Sequence, residues 1–360
     1  MSKNGMKISQ DTLFSILKFL TTFAVALLLG AIIMMVSGYN PLQVYAALFT
    51  GAFRSTLDFG TMLEKLGTIL MLGLAYNLCH HVLYFNLGLE GCLYAGALAY
   101  AVIGYQFPDL SAVIYIPLCF GVAVIGGALW ALPPVIFKLK YNANEACSTL
   151  MMNYVALNLT GYSIYHIWTA NSYVPRTPNL LPQVTMPRLF VSSRANVTLF
   201  LAIIVFAIML FVMFKTSFGF KIRTIGQNER FAKYAGFNVT KITIGIIALS
   251  GGIAGLAGGF EVAGMYGGFI DGIASGCTFD GLLASRLVNN NMRMIPFSSV
   301  LLALLRSGAK VVERSLGVPS AFVDLMISIL ILLVMFDKAF DWKRILKREK
   351  RLGAAENAGG

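Results

Sequence analysis

Charge is scarce in this chain: Asp, Glu, Lys and Arg make up 12% of its 360 residues, against 57% hydrophobic residues and a mean hydropathy of +0.74. A soluble core cannot conceal that much apolar surface, which excludes a water-soluble globule and implies a polytopic membrane protein. Histidine is scarcer still, with only His80, His81 and His166. The adjacent pair points to different faces of a helix and makes a poor metal site. The five cysteines, Cys79, Cys92, Cys119, Cys147 and Cys277, form no CxxC pair and lie in or beside apolar runs. They read as small apolar filler rather than zinc ligands or a disulfide framework. Also missing are a Walker A loop, an HExxH helix, a GxSxG elbow and a voltage-sensor arginine series. A membrane enzyme or a channel therefore has little support, and no metal or cofactor is expected on this chain. Acids are outnumbered by bases, 16 to 28, for a net charge of +12. The bases gather between apolar segments, which fits membrane topology better than nucleic-acid binding.

What is present is a series of apolar runs. About 20 such residues cross a bilayer core, and ten segments qualify: 14–37, 62–80, 89–106, 111–138, 147–168, 196–214, 242–262, 274–290, 295–309 and 319–337, several short or broken by glycine. The first lacks a small-residue cleavage site and reads as a retained helix. With a cytoplasmic N-terminus at 1–13, an even number of spans puts Lys138 and Lys140, the loop 215–241, Arg286 and Arg293, and the basic tail 338–360 on the same side. Most of the 28 bases then lie inside, which favours ten spans over nine or eleven. On the outside, 40–55 carries Leu42, Tyr45, Leu48 and Phe49 at helical spacing and is expected to lie along the membrane surface. The stretch 169–195, with Pro175, Pro178, Pro182 and Pro187, is expected to be irregular.

Four polar or glycine-rich segments interrupt this pattern. In Phe85-Asn-Leu-Gly-Leu-Glu-Gly91, Asn86 suits a helix cap and Gly88 permits unusual dihedrals, so a broken helix at membrane depth is expected. A carboxylate at membrane depth costs roughly 2.5–3.5 kcal/mol, and Glu90 either serves its own helix N-terminus or faces a solute. In 144–154, Asn144 or Ser148 caps and Glu145 suits the helix dipole. Thr149 and Asn153 share a face, with Tyr154 beside them, and serve helix packing or a polar route. In 248–261, Gly251, Gly255 and Gly259 form a ladder for close helix packing, with Glu261 at its end as a ligand group or an ordinary interfacial acid. Within 215–241, Lys215, Lys221, Arg223, Arg230, Lys233 and Lys241 stand against Glu229 alone. Asn228 suits a cap, Phe231 and Tyr234 share a face, and Gly236 ends the turn.

The order of these motifs, from Asn86-x-Gly88-x-Glu90-Gly91 through Asn144-Glu145, Ser148-Thr149-Leu150-Met151 and Asn153-Tyr154, to Gly226-x-Asn228, Ala232-x-Tyr234-Ala235-Gly236, Leu249-Ser250-Gly251 and Gly317-Val318-Pro319, resembles the permeases of ATP-binding-cassette importers for simple sugars and nucleosides. The resemblance covers about residues 60–337. It implies an all-α permease domain, 14–337, in the cytoplasmic membrane with both termini inside. It also implies two cytoplasmic ATPase subunits that hold the ATP and magnesium, a second permease subunit, identical or homologous, and an external solute-binding protein. The loop 215–241 then carries the coupling helix, with Asn228, Glu229, Phe231, Ala232, Tyr234, Ala235 and Gly236 at the ATPase. The route is expected near Asn86, Glu90, Thr149, Asn153, Tyr154 and Glu261. Cys92 departs from the family's usual glutamine, and 289–296 lacks its glycine-proline turn. Nucleosides are the expected solute, a pentose or hexose the second, and an ion-coupled carrier working alone is the competing class.

Overall fold

The computed structural model describes residues 27–329, apart from 171–173, 191–192, 275, 320 and 326. The terminal segments 1–13 and 338–360, and parts of the expected spans 14–37 and 319–337, lie outside the described residues. The chain divides into two compact units, Met1–Ala47 with Val312–Gly360, and Leu48–Val311. In the first, the Tyr45 hydroxyl donates to the Leu27 carbonyl at the start of α1 (Leu27–Val36), and the rings of Tyr39 and Phe322 meet edge-on at 6.5 Å.

The second unit is all helix and connector. Helix α2 (Pro41–Thr50), which belongs to the first unit up to Ala47, runs into a 3-10 turn at Gly51–Phe53, so the expected helix in 40–55 is there. Its buried face is Val44, Ala47 and Leu48, and Leu42 lies outside it. Helix α3 (Thr56–His81) starts where the Ser55 hydroxyl accepts the Asp58 amide and donates to the Asp58 carboxylate. Then follow α4 (Leu89–Ile103), α5 (Ala112–Tyr141), α6 (Glu145–His166), α7 (Thr198–Lys215), α8 (Ser217–Gln227), α9 (Glu229–Tyr234), α10 (Val239–Glu261), α11 (Cys277–Leu287) and α12 (Ile295–Leu316). Five helices among the described residues are long and apolar enough to cross a membrane: α3, α5, α7, α10 with the turn after it, and α12 with the turn before it. α3 is the central one, buried over 83% of its most apolar stretch, whereas α5 is buried over 22% and turns its apolar side chains outward.

Residue pairs fix the directions. Thr68 meets Glu261 and Ala75 meets Ser250, so α3 and α10 are antiparallel. Gly73 packs on α11 near Gly281 while Asn77 meets Ser285, so α11 runs parallel to α3. Here the structure departs from expectation. The segment 274–290 is helical only over Cys277–Leu287, about 16 Å at 1.5 Å per residue, or half a bilayer core. After Glu261 a π turn, Val262–Tyr266, leads into a loop where Gly267, Gly272 and Gly276 take positive φ, and helix resumes only at Cys277. Non-helical backbone of this kind survives in a membrane only when protein encloses it. The stretch 169–195 supplies part of that enclosure, and although irregular it is well anchored. Thr177 and Phe269 exchange bonds of 2.9 Å, the Leu180 amide donates to Gly267, the Met186 amide donates to Ala263, and the Tyr100 hydroxyl donates to Val184.

The glycine ladder of α10 seats it between α4 and α5. A Cβ on Gly255 would strike the Ala123 carbonyl and the Gly127 backbone; one on Gly96 would strike Gly255; one on Gly251 would strike Ala131 and Gly127. Gly259 is looser, with Tyr100, Phe120 and Ala123 at 3.2–3.4 Å. Gly255→Leu is therefore expected to cost about 1–3 kcal/mol or more and to lower the thermal midpoint in detergent. Gly161→Ala, where nothing lies within 4 Å, is expected to leave it in place.

Candidate functional site

Three constructions stand out, and the first is a hinge between α3 and α4. Leu83 takes a left-handed φ of 55°, which turns the chain out of α3 into 84–88. Asn86 Oδ1 accepts the Gly88 amide at 2.7 Å, so its capping acts one step before the helix, whose N-cap position is Gly88 itself. From α6, Thr149 Oγ1 accepts the Leu87 amide at 3.1 Å, and Asn153 accepts the Gly91 amide at 2.8 Å while donating to the Leu87 carbonyl at 2.7 Å. Glu145 accepts the Phe85 amide at 3.1 Å and pairs with Lys138. Thr149 and Asn153 are buried, and Tyr154 lies on the exposed side of α6. Trp130 Nε1 would sit 2.6 Å from a Cβ on Gly91, so only glycine fits there. A cavity of about 220 Å³ adjoins the hinge, lined among others by Tyr76, His80, Asn86, Glu145 and Arg286.

The second construction runs along α11. Asp280 takes a bidentate grip from Arg306, at 2.6 and 2.7 Å, which ties the half-helix to α12. On the other side, Thr278 is buried, and Glu90 of α4 lies beside its hydroxyl and near Tyr76. At the start of α11 the ammonium of Lys65 lies 3.2 Å from Glu64, 3.7 Å from Glu261 and 3.5 Å from the Cys277 sulfur. The Thr68 hydroxyl donates to Glu261 Oε1 at 2.6 Å. The side chains of Lys65, Glu64 and Glu261 are 9%, 4% and 1% exposed. Polar groups thus follow α11 from Glu64, Lys65 and Glu261, past Thr278 and Glu90, to the cavity at Tyr76 and Arg286. Sequence reasoning had singled out Glu90 and Glu261 but passed over Glu64, Lys65 and Thr278. The signal was an acid-base pair, Glu64-Lys65, inside the apolar run that opens at Met62.

The third is the knuckle between α7 and α10. Thr216 Oγ1 accepts the Gly219 amide to start α8, and Ile222 and Ile225 are buried. Asn228 Oδ1 accepts the Phe231 amide at 3.0 Å and so caps α9, with Glu229 at its first turn paired to Lys233 at 2.7 Å. Ala232 packs with Ile225 and Val239. Phe231 and Tyr234 stand out from the surface, 58% and 91% exposed. Ala235 donates to Phe231, and Gly236, at φ 79°, ends the turn. Gly226 rests on the end of α3, where a Cβ would lie 2.6 Å from the His81 carbonyl.

The hinge generates a stability prediction. Asn153→Leu strands the Gly91 amide and the Leu87 carbonyl, at about 1–3 kcal/mol for each. The expected outcome is a lower thermal midpoint and faster proteolysis within 82–88, with Tyr154→Leu unchanged in both.

Known proteins resemble this chain over most of its length. The family model described as branched-chain amino acid transport system / permease component matches residues 59–335. A guanosine ABC transporter permease protein of Bacillus subtilis, NupP, is 32% identical over 90% of this chain and 94% of its own length. A nucleoside ABC transporter permease protein of Lactococcus lactis, NupB, is 28% identical over 91% and 92%. A glucose ABC transporter permease protein of Haloferax volcanii, TsgB13, is 28% identical over 90% and 88%. With a family match across most of its length and a relative this similar from end to end, the chain is a multi-pass membrane protein belonging to the branched-chain amino acid transport system / permease component family of ABC transporter permeases.

Proposed function

We propose that this chain is the membrane-spanning subunit of an importer that moves a nucleoside across the cytoplasmic membrane, with ATP and magnesium held by a separate ATPase. The observation that carries the reading is end-to-end similarity to permeases named for guanosine and for nucleosides. Both termini and the loop 215–241 face the cytoplasm, in line with the clustering of bases. Two ATPase subunits, a second permease copy or homologue, and an external solute-binding protein complete the assembly. The α9 knuckle meets the ATPase with Phe231 and Tyr234, two exposed aromatics on a turn whose other face is held by Ala232. Displacement of α9 reaches α3 through the contact of Gly226 with His81. The solute passes along α11, by Glu261, Glu90 and the hinge at Asn86, while Thr149 and Asn153 fix that hinge. A hexose is the second reading, favoured by the similarity to a glucose permease.

Two measurements test this. In cells expressing the permease with its partner ATPase and solute-binding protein, labelled guanosine is expected to accumulate in an ATP-dependent manner. Accumulation of glucose alone supports the second reading, and uptake by the isolated chain in liposomes under a proton or sodium gradient overturns both. Replacing Phe231 and Tyr234 together by Ala is expected to abolish co-purification of the ATPase while the permease stays at wild-type levels in the membrane; retained co-purification removes α9 from the interface.

A further inference from the structure

Buried ionic groups within a membrane protein are costly unless paired and hydrogen-bonded, and the group at the start of α11 is only half satisfied. Lys65 faces two carboxylates, with Lys310 as a second cation near Glu64, and the Thr68 hydroxyl donates to Glu261. Beyond Lys65, the Glu64 carboxylate takes no hydrogen bond among the described residues, and one oxygen of Glu261 accepts none. Thr278, the second residue of α11, is equally buried, with Glu90 beside its hydroxyl. Buried polar atoms in native proteins are almost always paired, so the carboxylate oxygens left over at Glu64 and Glu261 require an account. Tyr266, on the π turn, lies beside the same carboxylates. Structural roles account for little of this. Arg306 and Asp280 already tie α11 to α12 with a fully bonded pair, and glycine contacts already hold α10.

The missing partners have a definite chemistry. A carboxylate only accepts and an ammonium only donates, and a hydroxyl does both. Acids and a lysine alternating around one point therefore suit a neutral solute with adjacent hydroxyls, each giving its proton to Glu64 or Glu261 and taking one from Lys65. An anionic solute meets two carboxylates, and a cation meets Lys65. A metal site is disfavoured too, since among the described residues no cluster of three His, Cys, Asp or Glu forms. Half-helix ends at membrane depth are where transport proteins present such groups to a solute.

We propose that Glu64, Lys65 and Glu261 at the start of α11, followed along that helix by Thr278 beside Glu90, form a hydroxyl-recognising subsite that binds the vicinal hydroxyls of the solute's sugar ring as it passes. This deepens the nucleoside reading and rests on it.

The test compares uptake of guanosine with 2′-deoxyguanosine and 3′-deoxyguanosine, by the complete transporter, in Glu261→Gln and Thr278→Val permeases. The same solute-binding protein is present throughout, so a changed ratio belongs to the permease. Thr278→Val removes one hydroxyl beside Glu90 and leaves the Asp280–Arg306 pair and the glycine contacts intact, so its assembly is expected to match wild type even if Glu261→Gln weakens the Thr68 and Lys65 contacts. The expected result is a loss of guanosine uptake of about tenfold in Glu261→Gln, the scale of one hydrogen bond to a charged group, and a smaller loss in Thr278→Val. Uptake of at least one deoxynucleoside stays unchanged, so that its ratio to guanosine shifts. Ratios that hold at the wild-type value in both variants, whether or not total uptake falls, overturn the proposal. If the transporter carries glucose and no nucleoside, the nucleoside reading fails, and the subsite is judged in the same variants by glucose against its monodeoxy analogues.

Discussion

The close approach of α10 to α4 and α5 is the contact on which the rest depends. Gly251, Gly255, Gly96 and Gly127 bring backbones together at distances that no side chain permits. In lipid, apolar side chains gain nothing by leaving one solvent for another, so tight van der Waals contact between small residues is the means of holding helices together. This contact sets the height of α10 and so delivers Glu261 to Thr68 and Lys65 on α3, and Ser250 to Ala75. It also carries the π turn and the start of the loop after it, to which the connector around Thr177 and Leu180 is hydrogen-bonded.

Around that packed centre the polar groups fall into two kinds. Thr149, Asn153, Asn86 and Ser250 bond to backbone within the fold and hold a particular bend or contact in place. Glu64 and Glu261 are equally buried and have oxygens left over. On the proposed reading, the first kind holds the structure and the second meets the solute. The knuckle at α9 follows the same division: Asn228 and Ala232 hold it, and Phe231 and Tyr234 are free to meet another chain.

Much of this was legible in the residues. Apolar runs located α3, α5, α7 and α10 to within a few residues, because the bilayer imposes length and composition on a spanning helix. Asn144, Asn228 and Asn238 cap their helices by local bonds that need no partner from elsewhere. The misjudged span at 274–290 was apolar enough to pass as a crossing helix, and glycines at 267, 272 and 276 lie mostly before it. Composition could not reveal that enclosed backbone replaces half of it.

By itself the sequence determined an all-α membrane protein, the glycine face of α10, the capped turn at Asn228 and the hinge at Asn86, since each depends on neighbours within a few positions along the chain. Only the tertiary structure decided that Thr149 and Asn153 face the hinge while Tyr154 faces away, and that Glu64, Lys65 and Glu261 meet. Those three are spread over almost two hundred positions of the chain, and no local pattern encodes their meeting. It follows from the antiparallel seating of α10 on α3 and from the depth at which α11 begins.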